Sequence, residues 1–229
     1  MVDGSAAWEA PVAVSLSEKL KDILERAILR GELEAGAKIN AGRLAREMGV
    51  SVIPLREALR ALDADGWVTL RPNIGAHVRE RSLAEARDLH ETRRFLESQI
   101  ASLAAQRADP ESIGELKRLV TAGDRAAEQG DTVAFAEVNA DFHAAIASAA
   151  GNAVLAELHN RIALRVRFYF ASAVGQRIDR SAQEHSAIAT AIIRGDAELA
   201  ARLAREHASA TQAALESVFS DDTAAAPQQ

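Results

Sequence analysis

The chain has 229 residues, of which 48% are apolar and 26% charged, with a net charge of −6 and no cysteine. These values are typical of a globular protein with room for two modest domains, and they exclude disulfides and thiolate metal sites. No apolar run approaches the roughly 18 residues of a membrane span, and the first residues lack a signal-peptide pattern, so we expect a soluble cytoplasmic protein without a membrane partner.

The negative charge is unevenly distributed along the chain. Residues 15–80 contain 11 basic and 10 acidic side chains, a net of +1, whereas residues 81–229 contain 16 and 21, a net of −5. The amino-terminal part is therefore less acidic than the rest without being strongly basic. If that part binds DNA, its sequence-independent affinity for phosphate is modest, and a dimer would be needed to bring enough contacts to one site.

The first elements are an arm and a helix. Residues 1–14 mix glycine, alanine and proline without periodicity, and we interpret them as a mobile arm. Ser15 and Glu18 form a capping box, after which apolar residues recur at helical spacing. These residues are Leu16, Leu20, Ile23, Leu24, Ala27 and Ile28. Gly31 ends the helix, and the stretch from there to Lys38 is predicted to be a loop.

The stretch from Arg43 to Leu59 predicts two helices joined by a tight turn. Gly49 ends the first helix, and the Ser51 hydroxyl can cap the second, which buries one side. That side consists of Leu55, Ala58, Leu59 and Leu62. The open face and the amino-terminal end of the second helix are predicted to contact DNA in a major groove. The candidate residues are Arg43, Ser51, Val52, Ile53, Arg56 and Arg60. The alternative is an ordinary helical hairpin with a solvated basic face.

A short hairpin is predicted after the second helix. Residues 67–70 and 76–79 have strand character, and the segment Arg71-Pro72-Asn73-Ile74-Gly75 between them is rich in turn residues. The tip of this hairpin would bring Arg71 and Asn73 to the minor groove or the DNA backbone. Residues 15–80 are therefore predicted to form a winged helix-turn-helix domain with a small β-hairpin wing.

Residues 15–79 closely resemble the winged helix of the GntR family of bacterial transcription regulators. The resemblance rests on Gly49-Val50-Ser51, Pro54 to Leu59, Leu62 and Gly66-Trp67-Val68. It implies a regulator that binds double-stranded operator DNA. The family usually has an arginine and a threonine where this chain has Val52 and Ile53. Because an arginine there commonly contacts guanine, the change favours an apolar contact, such as one to a thymine methyl group.

From residue 82 onward almost the whole chain predicts helix. The expected helices are 83–107, 111–129, 132–150, 153–174, 182–194 and 197–218. Connections that contain glycine and helix-capping residues separate them, and residues 175–180 form one such connection. Six helices with short connections indicate an all-α antiparallel bundle over residues 82–219, so the fold class is mainly α. Residues 220–229 are predicted to be disordered.

The bundle resembles the effector-binding FCD domain of the FadR-like branch of the same family. The matching segments are Arg93-Arg94-Phe95-Leu96-Glu97, Asn139-Ala140-Asp141-Phe142-His143 and Gly151-Asn152. The resemblance implies a bound metal, with ligands at Asn139, His143, His185 and His207. The family more often has aspartate at the position of Asn139. The uncharged amide would therefore bind the metal more weakly.

Helical periodicity also places these four side chains on buried faces of three helices. The apolar residues that define the faces are Phe135, Phe142 and Ile146, then Ile188 and Ile192, then Leu199, Leu203 and Ala210. Three imidazoles and one amide oxygen suit a divalent ion, zinc first, with nickel or manganese possible. The alternative is a set of core histidines hydrogen-bonded to backbone. The remaining histidines, His77, His90 and His159, are predicted to be structural or surface residues.

Arg93 lies on the inward face of its helix, whereas Arg94 points away. A buried guanidinium needs a partner, and a carboxylate effector bound to the metal would supply one. Arg165 is a second candidate for the same role. A structural salt bridge to Glu97 or to a neighbouring carboxylate is equally compatible with the sequence.

Together with the two resemblances, these patterns predict a homodimeric transcription regulator that responds to a small organic acid, and not an enzyme. Repression is the expected mode of action, and activation is the alternative. One alternative is a metal-free regulator that senses a larger acyl ligand. Another is a metal-dependent hydrolase fused to a helical hairpin, which is disfavoured because the sequence has neither an H-E-x-x-H motif nor a nucleophile elbow.

Overall fold

The computed structural model describes residues 15–72, 74–80, 82–170 and 174–225. The predicted mobile arm 1–14, the wing residue Asn73 and residues 226–229 of the predicted tail lie outside the described residues. The chain divides into two compact units after Arg79. In the described ranges it forms nine helices and three short strands, which confirms the predicted mainly α class. No helix in these ranges combines the length and apolar character needed to cross a bilayer.

The amino-terminal unit combines three helices with a small sheet. Its elements are α1 (Leu16–Leu29), β1 (Lys38–Ile39), α2 (Ala41–Glu47), α3 (Val52–Ala64), β2 (Val68–Arg71) and β3 (Gly75–Val78). The strands are antiparallel in the order β1-β3-β2. The hairpin of β2 and β3 was predicted, whereas β1 lies at the end of a stretch predicted to be a loop. A two-residue strand has no periodicity of its own, and it forms because β3 offers an edge for pairing.

The core of this unit lies between α1, α3 and the sheet. Its buried side chains include Leu20, Leu24, Ile28, Leu55, Leu59, Leu62, Trp67 and Val78. Lys21 joins the end of α3 to α1, because its ammonium group lies 2.9 Å from both Glu25 and Asp65. Leu16 and Ile23 were predicted on the buried face of α1, yet each is 48% exposed. The buried stripe of α1 is therefore narrower than predicted.

The second unit is a bundle of six helices. They are α4 (Leu83–Arg107), α5 (Pro110–Glu128), α6 (Thr132–Ala149), α7 (Ala153–Phe170), α8 (Val174–Ile193) and α9 (Ala197–Ala225). Helix α4 is central, because it packs against α6, α7, α8 and α9. Alanine is frequent in the core, as at Ala101, Ala104, Ala147 and Ala200. Such small side chains let helices approach closely, so that polar groups from different helices can meet.

Two helix boundaries in the bundle differ from the prediction. Residues 175–180, predicted to be a connection, belong to α8, and α9 continues to Ala225 instead of ending at residue 218. The segment is helical because Arg177 is buried and its guanidinium donates to Glu184 and Thr211. Such tertiary contacts outweigh the low helix propensity of Gly175.

The caps of α1 and α3 differ, although both helices begin at a serine. At α1 the predicted capping box forms: the Glu18 amide donates to Ser15 Oγ at 3.1 Å, and the Ser15 amide donates to Glu18 Oε2 at 2.7 Å. Ser51 occupies the equivalent position of α3 without a side-chain capping bond, so the predicted cap there is wrong. The first turn of α3 gains no hydrogen bond from that hydroxyl.

This difference generates a stability prediction. Ser15→Ala should lower the free energy of unfolding of the amino-terminal unit by about 1 kcal/mol, because a capping bond is lost. Ser51→Ala, the matched control, should change it by less than half that amount. The chain contains two tryptophans, so a Trp8→Phe background leaves buried Trp67 as the sole fluorescent reporter during chemical denaturation. Equal effects of the two substitutions would contradict the assignment of the caps.

Candidate functional site

The first candidate surface is the amino-terminal end of α3. Ile53 is 66% exposed, Val52 is half-buried, and Arg56 and Arg60 are exposed one helical turn apart. Within the part of the chain that the structure describes, neither of these arginines forms an ion pair. The first turn of α3 therefore presents apolar side chains, and the two arginines after it present guanidinium groups that could contact DNA.

The other predicted DNA-contacting residues lie on α2, at the start of α3 and at the end of β2. Ser51 is exposed at its start, and Arg43 is exposed on α2 with its Nε 3.4 Å from Glu47. Arg71 is exposed at the end of β2. Asn73 lies outside the described residues, so its place on the wing stays a prediction.

The second candidate site is a cluster of histidines inside the bundle. His143 of α6, His185 of α8 and His207 of α9 are buried, at 7%, 4% and 2% exposure. One ring nitrogen from each lies within 4.8 Å of the others. The structure thus brings together the three histidines that the sequence predicted to converge. The predicted fourth ligand, Asn139, is half-buried one turn before His143 on α6, and its role stays a prediction.

Two carboxylates lie behind the rings, Glu97 buried and Glu184 partly buried. Nδ1 of His207 is 2.7 Å from Glu184 Oε2, and Nδ1 of His143 is 3.4 Å from Glu97 Oε1. Arg177 holds Glu184 in place, since its Nη2 donates to both carboxylate oxygens, at 2.7 and 2.6 Å. A carboxylate at Nδ1 orients an imidazole and directs Nε2 toward the centre of a site.

Arg93 lies in the middle of this cluster, as its inward position predicted. Its Nε donates to Glu97 Oε1 at 2.6 Å, which is the salt bridge left open by the sequence. Its Nη2 is 3.0 Å from Nε2 of His143 and 3.4 Å from Nε2 of His207. A guanidinium has only donors, so both Nε2 atoms must accept. Both rings therefore carry their proton on Nδ1, beside the carboxylates.

Burial keeps the rings neutral. It lowers the pKa of His143 and of His185 well below the ordinary value, and it also lowers the pKa of His207. Burial would raise the pKa of Glu97, but Arg93, His143 and His159 together outweigh it and hold that pKa well below the ordinary value. Neutral imidazoles and ionised carboxylates are the protonation states that metal binding requires.

Among the three histidines, His185 is the one whose Nε2 forms no hydrogen bond with the described residues. Its ring stacks on Phe142, with centroids 4.4 Å apart and planes inclined by 25°. Its Nε2 is buried and has no hydrogen-bond partner among the described residues. Leaving a buried donor or acceptor unpaired costs about 1–3 kcal/mol, so this atom would gain from a partner that the described residues do not supply.

The cluster includes residues that the sequence did not place there. His159 of α7 is buried, and its Nε2 lies 3.4 Å from Glu97 Oε1. Glu97, His143 and His159 form a second group of possible ligands within 4.8 Å. The signal was present in the sequence, because Leu155 and Val166 flank His159 at helical spacing. Glu184 and Arg177 gave no such signal, because residues 175–180 were predicted to be a connection and the other partners, Thr211 and His207, are distant in sequence.

His90 and Arg165 have other surroundings. His90 is 1% exposed, with neither ring nitrogen hydrogen-bonded among the described residues, so it is a core residue rather than a surface one. Burial, together with the charge of Arg93, lowers the pKa of His90 to about 3. Arg165 forms an ion pair with Glu85 near the start of α4. Its guanidinium is thus already engaged by a carboxylate of the protein.

Comparison with known families agrees with both units. Residues 16–78 match the bacterial regulatory proteins of the gntR family, and residues 88–210 match the FCD domain. The chain belongs to the GntR family.

Relatives of this GntR protein are transcription regulators. A protein of Paenarthrobacter nicotinovorans named "Probable D-xylose utilization operon transcriptional repressor" is 31% identical over 200 residues, spanning 86% of this chain and 87% of the relative. The regulator McbR of Escherichia coli is 28% identical over 153 residues, spanning 67% of this chain and 69% of its own. These relatives favour the regulator over the hydrolase considered from the sequence.

Solved structures show the same fold. The E. coli McbR/YncC structure superposes with a TM-score of 0.76 at 23% identity, covering 90% of this chain and all of that one (100%). A GntR regulator from Rhodococcus gives a TM-score of 0.73 at 20% identity, covering 88% and 97% of the two chains. The winged helix followed by a helical bundle is therefore the architecture of this GntR protein.

The hydrogen bonds around the rings predict their tautomers. In the full-length protein at neutral pH, His143 and His207 should both be protonated on Nδ1, because each Nδ1 faces a carboxylate and each Nε2 faces Arg93. Two-bond ¹⁵N–¹H correlations of the histidine rings measure this directly. Glu184→Leu should weaken the preference at His207, where only the longer 3.4 Å contact from Arg93 to Nε2 would remain, and leave His143 unchanged, which makes His143 the internal control. An Nε2-protonated His207 in the unsubstituted protein would contradict the assignment.

Proposed function

We propose that this GntR protein is a homodimeric transcription repressor whose bundle binds a divalent metal ion and, on it, a small organic acid. The observation on which the sensor proposal depends is the convergence of three neutral, buried histidines from three helices. Repression as the mode of action is supported by the name of the Paenarthrobacter relative.

The residues of the cluster fit a metal ion. His143, His185 and His207 would hold it through ring nitrogens, and Asn139 would add an amide oxygen. The unpaired Nε2 of His185 is the strongest local support, because an ion would satisfy it. The carboxylates behind His143 and His207 supply the orientation that metal-binding imidazoles usually have. Nitrogen-rich ligation favours zinc, with nickel or manganese as alternatives.

The effector would bind beside the ion, through its carboxylate. A bound metal supplies a Lewis acid that attracts one carboxylate oxygen, and the guanidinium of Arg93 is close enough to the histidines to donate to the other. Arg165 is the weaker candidate, because Glu85 already occupies its guanidinium. The expected ligands are therefore small acids rather than esters or amines.

A larger acyl ligand would need an apolar chamber in the bundle. The described residues form surface grooves of about 380 Å³ along α8 and α9 and about 550 Å³ along α5 and α6, and no histidine lines either groove. The polar character of the buried cluster instead favours a compact, charged effector.

DNA would be contacted through α3 and the wing. Arg56 and Arg60 are placed to contact base edges or phosphates, and Val52 and Ile53 to contact apolar groups such as a thymine methyl. Phosphate contacts are proposed for Ser51, Arg43, Arg71 and Asn73. Because the Ser51 side chain makes no capping bond, the first backbone N–H groups of α3 can donate to a phosphate instead.

A dimer is the form that this DNA-binding unit requires. With a net charge of +1 over residues 15–80, one copy gains little from phosphate attraction, whereas two copies double the contacts on a two-fold symmetric site. The bundle offers apolar surface for pairing. Phe95 on α4 is 75% exposed, and Val154 and Leu158 on α7 are 67% and 47% exposed.

The DNA part of the proposal is tested on α3. Arg56→Ala should weaken binding to the cognate operator by about 1–3 kcal/mol and reduce discrimination at one position of each half-site, because a base contact is lost. Binding is measured by fluorescence anisotropy at fixed salt. Arg30→Ala, which removes an exposed arginine at the end of α1, is the control and should leave operator affinity unchanged.

The same surface predicts a change of specificity. Val52→Arg should shift the operator selected from random DNA toward guanine, because arginine pairs with the guanine edge. An identical selected motif for both proteins would contradict a base contact at this position, and unchanged affinity of Arg56→Ala would remove Arg56 from the contact surface.

The sensor part is tested by metal removal. Metal at about 100 times its dissociation constant should stabilise the folded protein by roughly 2.7 kcal/mol, because it binds only the folded state. A chelator should therefore lower the melting temperature, and added zinc should restore it. His207→Ala should remove this dependence while the protein stays folded, and Asn139→Asp should strengthen it by adding a negative charge.

His77→Ala is the matched control, because His77 lies on β3 in the other unit and should leave the metal dependence intact. A melting temperature that responds to neither chelator nor zinc, in protein shown to contain no metal at the start, would return the three histidines to the role of core residues.

A further inference from the structure

Arg93 makes an unusual contact with the proposed metal ligands. Its Nη2 lies 3.0 Å from Nε2 of His143 and 3.4 Å from Nε2 of His207, so one guanidinium nitrogen bridges two imidazoles. The Nε2 atoms of these rings are also the atoms that would bind the ion. A protein cation thus makes the contacts that a metal would make.

The hydrogen bond from Arg93 and a bond to a metal ion would use the same lone pair on Nε2 of each ring. A neutral imidazole has one lone pair, which lies in the ring plane and points in one direction. A zinc–nitrogen bond is about 2.0–2.1 Å long, whereas the hydrogen bond to Nη2 is 3.0 Å long. An ion on the same lone pair would therefore lie roughly 1 Å from Nη2, which is far inside the contact distance.

Electrostatic repulsion also prevents the Arg93 guanidinium and a metal ion from occupying this position together. A guanidinium stays protonated in proteins and has no acceptor, so Arg93 cannot become a metal ligand. Its positive charge would face the positive ion directly in a buried site. For the ion to bind both rings, Nη2 must leave them.

The structure also offers a place for Nη2 to go. Nε of Arg93 already donates to Glu97 Oε1, at 2.6 Å. The other oxygen, Oε2, is buried and has no hydrogen-bond partner among the described residues. Nε and Nη2 lie on one edge of the guanidinium, so a small rotation would convert the single bond into a bidentate pair with Glu97.

We propose that the Arg93 guanidinium and the metal ion are alternative occupants of one position, and that Glu97 Oε2 receives Nη2 when the ion is bound. The inference rests on the proposed metal site and adds its regulation. Without metal, the internal cation satisfies the two imidazoles and keeps the cluster ordered. With metal, Nε and Nη2 of Arg93 pair with Glu97 and Nη1 is the group that would donate to the proposed effector, so the position of Nη2 reports whether the site is loaded.

The direct test is a pair of crystal structures of the full-length protein, one after chelation and one with saturating zinc located by anomalous scattering. We expect Nη2 on the histidines in the first and on Glu97 Oε2 in the second. Zinc bound to His143 and His207 with Nη2 still hydrogen-bonded to either ring would overturn the exchange and leave the metal site intact. A wild-type protein that binds no zinc would overturn both.

Zinc affinity, measured by competition with a chromophoric chelator, is the second readout. Removing the competing guanidinium should tighten zinc binding at least tenfold. Because Arg93→Met alone leaves Glu97 buried and unpaired, the comparison is between Arg93→Met combined with Glu97→Gln and Glu97→Gln alone, with folding checked by circular dichroism. Equal affinities in this pair would overturn the exchange.

The Arg93→Lys variant distinguishes competition for the ring nitrogens from a simple effect of positive charge on zinc affinity. Lysine keeps the positive charge but is one atom shorter and cannot bridge the two rings. The exchange predicts that Arg93→Lys binds zinc more tightly than wild type, although the net charge is the same. If only the neutral variant gained affinity, removal of charge would explain the gain and the exchange would be wrong.

Discussion

The ion pair between Arg93 and Glu97 is the interaction on which the arrangement of the bundle depends. The two side chains are 7% and 6% exposed, and their charged atoms are 2.6 Å apart. Burying such a pair brings little net stability, but losing one partner leaves the other charge uncompensated, at about 3–5 kcal/mol. Each helix packed on this part of α4 must therefore bring compatible polar atoms. His143 on α6, His159 on α7 and His207 on α9 do so, and the polar cluster is consequently part of the core rather than an addition to it.

A second ion pair, between buried Arg177 and partly buried Glu184, links α8 to α9 as the first links α4 to α6. In both, a guanidinium holds a carboxylate and the carboxylate faces Nδ1 of a histidine. The two rings are then oriented by groups behind them, with Nε2 toward a common centre. A ligand set held in this way loses little conformational freedom on binding, so more of the interaction energy is available for the ion. The rings can converge only because the alanines of the core allow close packing, since larger side chains would separate the helices and the rings.

Local patterns in the sequence predicted most of the fold and part of the site. The cap at Ser15, the two helices joined by a tight turn and the wing hairpin depend on residues near one another in sequence, and the inward direction of the three histidines follows from helical spacing. What was missed depends on partners far along the chain. Strand β1 forms only by pairing with the edge of β3. The first turns of α8 depend on the contact of Arg177 with Thr211 on α9. The roles of Glu184 and His159 follow from how three helices pack. Arg93 was predicted to be buried, but its contact with two ring nitrogens could not be, because the direction of a long side chain is decided by its neighbours.

For the proposed regulator, the size of a response to an effector is set by the difference between its affinity for the DNA-binding state and its affinity for the state that does not bind DNA. A coupling of about 1–3 kcal/mol changes operator affinity by roughly 5–150-fold. Phosphate attraction is weak in a DNA-binding unit with a net charge of +1, so base contacts would supply a larger share of operator affinity. A small displacement of α3 would therefore reduce that affinity strongly. In the proposed sensor, such a signal would begin at helix α4, because α4 holds Arg93 and Glu97, packs on the helices that supply the three histidines, and starts at Leu83, just after the boundary between the units. In the proposed sensor, an acid that bound among the histidines without engaging Arg93 would lack the contact by which it could favour one state over the other. We therefore expect the contact to Arg93, more than affinity for the metal, to distinguish an effector from a mere ligand.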